Sequence, residues 1–163
     1  MNLKNLTICL TLSVLLGSTG TSWGGDYEKG LAAAQSGDFA TALKEWMPLA
    51  EQGDFRTQYN LGQMYRDGQG VPQDYKTAME WFILSAEQGD GDAQFNLGFM
   101  YGNGQGVPQD NVYAHMWGNI AASHGNEKGG KLRDFAAKIM TATQIEKAQE
   151  LAQECVAKKY KGC

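Results

Sequence analysis

The sequence predicts an all-α protein, an α/α superhelical solenoid of about four antiparallel helix pairs. Thirteen of the nineteen residues from Arg56 to Asp74 recur from Asp92 to Asp110 at a shift of 36. A fixed period of that size marks stacked supersecondary units, each too small to bury its own apolar face. Within each copy the small and apolar residues fall three and four apart, the spacing of one helical face. Between the periodic stretches lies a glycine-rich turn, Gly68 to Asp74 and again Gly104 to Asp110. Stacked units of this kind make extended binding surfaces more readily than catalytic clefts.

The elements follow in chain order. A degenerate first unit opens with a helix near Asp26 to Gln35, joined through Ser36-Gly37 to a second helix over Phe39–Gln52, which Pro48 should kink. Its text keeps the 36-residue shift: Asp38-Phe39 aligns with Asp74-Tyr75, and Trp46 aligns with Phe82 rather than Trp81. The second unit predicts a helix over Phe55–Arg66, with Thr57, Leu61 and Tyr65 on one face. Gly62 inside it costs about 1 kcal/mol of helix propensity. Its recurrence as Gly98 implies a close helix crossing. Gly68 ends the helix and Asp74 caps the next, Tyr75–Gln88, whose Ala78, Trp81, Phe82 and Ser85 should face the core. The third unit repeats this plan with Ala93, Leu97, Tyr101, Asp110, Ala114, Trp117 and Ala121. After Gly125 the repeat text stops. Lys131 to Ile139 reads as a helix with an apolar stripe of Leu132, Phe135, Ala136 and Ile139. Thr141 and Gln144 form a capping box for a last helix.

Lys4 followed by an apolar run from Leu6 to Leu16 reads as a secretory signal peptide, too short to span a bilayer. Cleavage is expected after Gly24, with Gly20 as the alternative site, and a retained anchor is the other reading. The chain divides into a signal peptide over 1–24, repeats over 25–126 (26–54, 55–90 and 91–126), and capping helices over 127–163. The expected location is periplasmic or secreted, with no membrane span after processing. Residues 26–126 hold 13 acids and 5 bases, a net of −8, whereas residues 127–163 hold 5 acids and 8 bases, a net of +3. The acidic body argues against nucleic acid as a partner. The basic tail reads either as solvated helix faces or as a contact for an acidic partner or anionic lipid. Cys155 and Cys163 are an even pair in an exported chain, and read as a disulfide that requires the last helix to stop near Lys158. Free or intermolecular thiols are the alternative.

The motif Ala93, Leu97, Gly98, Tyr101, Gly104, Gly106, Val107, Asp110, Ala114, Trp117 resembles the unit of the Sel-one-like repeat (SLR) family, relatives of the tetratricopeptide repeat. The second unit matches equally, with Thr57 for the first alanine. The resemblance covers about 26–125 and implies a right-handed α/α superhelix acting as an adaptor for proteins. The overall expectation is a monomer that binds a protein or peptide, without catalysis or cofactor. Some exported relatives, with a disulfide in every repeat, are described as binding or hydrolysing penicillins. A periplasmic β-lactam-binding or cell-wall-active hydrolase is therefore the alternative function, and the repeats here contain no cysteine.

Positions that differ between the two units are free to serve a partner. Gln63 and Arg66 share a helix face, and Phe99 takes the place of Gln63 one unit on. They are candidate partner-binding residues, because aromatics and arginine dominate binding centres. Filling a gap against the next helix is the competing reading of Phe99. Asn60 and Asn96 are exposed-face candidates, with a bond to loop backbone as their structural alternative. Gly102 to Gly106 lacks the lysine and strand of a phosphate loop. His115 and His124 lie on opposite helix faces, so no metal site is expected. Asp90 and Asp92 are expected to cap or to be solvated.

Overall fold

The structure is a computed structural model that describes residues 25–163. The proposed signal peptide and its cleavage site at Gly24 lie outside the described residues. Among the described residues eight helices run in order: α1 Tyr27–Gln35, α2 Phe39–Glu51, α3 Phe55–Asp67, α4 Tyr75–Ala86, α5 Gly91–Asn103, α6 Asn111–Ser123, α7 Glu127–Ala137 and α8 Ala142–Ala157. Among the described residues there is no strand.

Local chemistry sets the helix ends. Asp54, Asp74, Asp90 and Asp110 stand at the N-caps of α3 to α6, each accepting from amides of the first turn. Gly68 and Gly104 close α3 and α5 in the left-handed region, at φ 69° and 67°. The amide of Asp74 then returns to the carbonyl of Tyr65, and that of Asp110 to Tyr101, both at 2.9 Å. Gln73 and Gln109 donate to the carbonyls of Arg66 and Gly102, each at 2.8 Å. The repeated loop text thus satisfies helix-end carbonyls that would otherwise need water.

Consecutive helices pack as pairs, and the pairs stack. Phe82 of α4 is fully buried with its ring on the backbone of Gly62, where a methyl group would come within 2.6 Å of it. Gly30 of α1 meets the ring of Trp46 of α2 in the same way. One unit further, the place of Phe82 is taken by Gly118, and Leu132 of α7 reaches over to Gly98 instead. Two apolar clusters result. One is built on Trp46, Leu61 and Met64, with Trp81 half-buried against it. The other is built on Phe82, Leu97, Met100, Trp117 and Ile120. The helix α2 runs on through Pro48.

The C-terminal part departs most from the sequence reading. Helix α7 begins at Glu127, four residues before the predicted start, and ends at Ala137. Gly129 and Gly130 hid that start, since glycine disfavours helix. Gly129 is needed at the crossing: a methyl group there would meet Ala121 at 2.6 Å. Phe135 and Ile139 are 64% and 59% exposed, so only Ala136 of the predicted stripe is fully buried, with Leu132 half-buried. Helices α7 and α8 both rest on α6. Helix α8 stops at Ala157, and Cys155 and Cys163 are joined at a Cα separation of 5.5 Å.

The candidate partner-binding face

Helices α3, α5 and α7 lie side by side. The Arg66 guanidinium of α3 donates to the side-chain oxygen of Asn96 on α5. Asn126, the N-cap of α7, donates to the Asp92 carboxylate of α5 at 2.7 Å. The repeat register continues into α7, because Asn126 stands 36 residues after the cap Asp90 and Gly129 stands 36 after Ala93. Position 63 of α3 therefore corresponds to 99 of α5 and 135 of α7.

The five predicted residues fall on α3 and α5, but they differ in availability. Gln63 is half-buried and donates to the Tyr59 hydroxyl at 2.7 Å. Burial raises the Tyr59 pKa, so that hydroxyl stays protonated and accepts the bond. Arg66 holds the Asp67 carboxylate through two contacts, at 2.7 and 2.8 Å, besides its bond to Asn96. It joins two helices as much as it faces solvent. Asn96 corrects the sequence reading. It is 4% exposed, and its amide donates to the Asp92 carbonyl inside its own helix, not to loop backbone. Asn60 is half-buried, and its amide nitrogen is buried without a partner among the described residues. Phe99 is 40% exposed, and its ring lies obliquely to that of Phe95, with centroids 6.1 Å apart. The sequence reading missed Phe135 as a surface residue. Its signal was the 36-residue offset from Phe99, obscured once the shared text ended at Gly125.

The other polar groups serve the fold. Gln88 donates to Gln58 at 2.8 Å, and one unit on the His124 Nδ1 lies 2.6 Å from Gln94. Gln94 already donates to the Ala86 carbonyl, so its oxygen accepts from His124 Nδ1–H. The His124 Nε2 is then free to accept from the Tyr160 hydroxyl at 3.0 Å. Lys161 and the amide of Gly162 both reach Glu87, which ties the bridged C-terminus to the end of α4. His115 is 3% exposed, and burial lowers its pKa, so it is neutral at pH 7. Asp90 caps α5 and accepts from Ser85. Among the described residues no cluster of three or more His, Cys, Asp or Glu is placed to hold a metal. Among the described residues no helix is long and apolar enough to cross a membrane. A separate groove of about 590 Å³ opens between α6, α7 and α8, lined by Ile120, Ala152, Val156 and Arg133, and it holds none of the predicted residues.

Residues 56–90 and 91–126 each match the Sel1 repeat family. No curated protein matches the chain. A solved protective antigen present in uropathogenic Escherichia coli strains, displaying an SLR fold, aligns with 80% of the chain at 29% identity and a TM-score of 0.75. A Sel1 repeat protein from Oxalobacter formigenes aligns with 68% at 28% identity and a TM-score of 0.65. The chain covers only 30% and 45% of those two proteins. The repeat text, the stacked helix pairs and these likenesses agree: the chain carries two Sel1 repeats, over residues 56–90 and 91–126, in a helical solenoid similar to these SLR-fold proteins.

Proposed function

We propose that the protein is an exported scaffold that binds a protein or peptide on the face made by α3, α5 and α7, without chemistry of its own. The observation that carries this reading is Phe99. A large apolar ring, 40% exposed, stands where the preceding unit has Gln63, so the repeat does not demand it. Covering the exposed two fifths of such a ring would recover roughly 1 kcal/mol for a partner. Arg66 and Gln63 flank it from α3, with polar atoms suited to the rim of an interface. Sel1 repeats commonly mediate protein–protein contacts, which is consistent with this use of the fold. Export is favoured by the apolar leader and by the Cys155–Cys163 bridge, since such bridges persist in oxidising compartments.

In-cell crosslinking with mass spectrometry tests the reading. The native chain is compared with Phe99→Ala and Gln63→Ala variants whose helicity is unchanged by circular dichroism. Loss of one specific partner in the variants is the expected result. A partner retained by both would move the contact to the C-terminal helices, and no specific partner under any growth condition would remove the scaffold reading. Arg66→Ala is kept as a separate control, because it also unties α3 from α5.

A further inference from the structure

We propose that the part of this face shared by α5 and α7 takes an acidic segment carrying aromatic or aliphatic anchor side chains. The inference rests on the binding reading above and names the chemistry of the partner. On α7 and its C-cap, Lys128, Lys131, Phe135 and Lys138 are spaced by three or four residues and form one exposed stripe. Its counterpart on α5 is Asp92, Phe95 and Phe99. Phe99 on α5, Phe135 on α7 and Ile139 in the turn that follows α7 are 40%, 64% and 59% exposed, a concentration of large apolar surface.

The charge along α7 is predominantly positive, with four bases against two acids from Glu127 to Lys138. Lys128, Lys131 and Lys138 make no ion pair among the described residues. Of the acids beside the stripe, Asp92 accepts from Asn126 and Asp134 is held by Arg133, while Glu127 stands in the first turn of α7, where the helix N-terminus favours its charge. Free cations beside exposed rings therefore present a surface complementary to carboxylates interleaved with apolar groups. An anionic bilayer offers the same charge but fits less well. Residues 26–126 carry a net charge of −8, so the units flanking the stripe would be repelled by a broad anionic surface. An extended or helical segment needs to touch only two helices and avoids that repulsion.

Fluorescence anisotropy with the full chain decides the matter. Three labelled decamers serve as probes: an acidic one with aromatic anchors, its amide isostere, and an acidic one with alanine anchors. The acidic aromatic decamer is expected to bind at least about tenfold more tightly than either control, equivalent to about 1.4 kcal/mol. Its affinity should fall as salt rises. The K131Q/K138Q and F99A/F135A double variants should each weaken it by about tenfold or more, and all four positions are exposed enough to leave the fold intact. Equal binding of the amide isostere would overturn the acidic preference while leaving the peptide-binding reading in place. Failure of every decamer, with the crosslinked partner still lost in Phe99→Ala, would likewise sink only this inference. Lysine-dependent binding to phosphatidylglycerol vesicles without peptide binding would reassign the stripe to lipid. Self-association in sedimentation, abolished by Phe135→Ala, would reassign it to a second copy.

Discussion

Gly62 and Gly102 are both helical glycines, and their surroundings predict opposite outcomes for the same substitution. Replacing either by alanine gains up to about 1 kcal/mol of helix propensity. At Gly62 the new methyl group would come within 2.6 Å of the Phe82 ring, which is fully buried and has nowhere to go. Overpacking of that kind costs about 1–3 kcal/mol, so Gly62→Ala should destabilise by up to about 2 kcal/mol net. At Gly102 the nearest atom is the Ala114 Cβ at 3.5 Å, an ordinary contact. Gly102→Ala should stabilise by about 0.5–1 kcal/mol. Urea unfolding of the two variants checks both signs. His115 supplies a pH dependence. Burial depresses its pKa in the folded chain, so below the unfolded value of about 6.5 the unfolded state binds more protons. Its contribution is fully present at pH 7 and is lost as pH falls from there toward the folded pKa. His115→Phe should flatten the decline in stability between pH 7 and pH 5.5, and an unchanged slope would mean that the carboxylates alone set it.

At the scale of elements, the C-terminal hairpin is the informative case. Helix α8 ends at Ala157, after which Lys159 and Tyr160 take left-handed backbone, at φ 53° and 65°. Such conformations are unfavourable for residues with a side chain and persist where surrounding contacts hold them. Here those contacts are the bridge to Cys155, the Tyr160–His124 hydrogen bond and the Lys161–Glu87 pair. Closing a loop of about 9 residues restricts the unfolded chain by roughly 2.5 kcal/mol in the entropy account. The Cys155→Ser/Cys163→Ser variant should therefore unfold at lower urea by about 2 kcal/mol. Hydrogen exchange should localise the loss to α8 and the end of α4. The sequence reading placed the stop of α8 within a residue, because the geometry of a bridge forbids a continuous helix between the two cysteines. The start of α7 was illegible for the opposite reason. Its two glycines are poor helix formers, and only the contact with α6 makes Gly129 useful.

For the whole molecule, each unit contacts mainly its neighbours, so stability is close to a sum of unit and interface contributions. Helix α1 packs substantially on α2 alone, whereas α6 is gripped by α5, α7 and α8. Amide exchange should therefore show α1 opening first and α5–α6 last. Uniform protection across all eight helices would show instead that the solenoid unfolds as one block.

The period, the helix pairs and most helix ends were legible in the chain itself. Aspartates at each cap, glycines at each stop and the 36-residue shift act over a few residues, so local chemistry determined them. Exposure was not legible in the same way. An apolar residue at helical spacing reads as core, yet Phe135 and Ile139 stand in solvent because the helix beside α7 covers only its other side. Asn96 reads as surface, yet it is buried because Arg66 of the preceding unit closes over it. The sequence determined which segments are helices and how often they repeat. Only the tertiary structure decided which face each helix keeps in water, because that depends on neighbours distant along the chain, and the candidate binding face consists of those exposed residues.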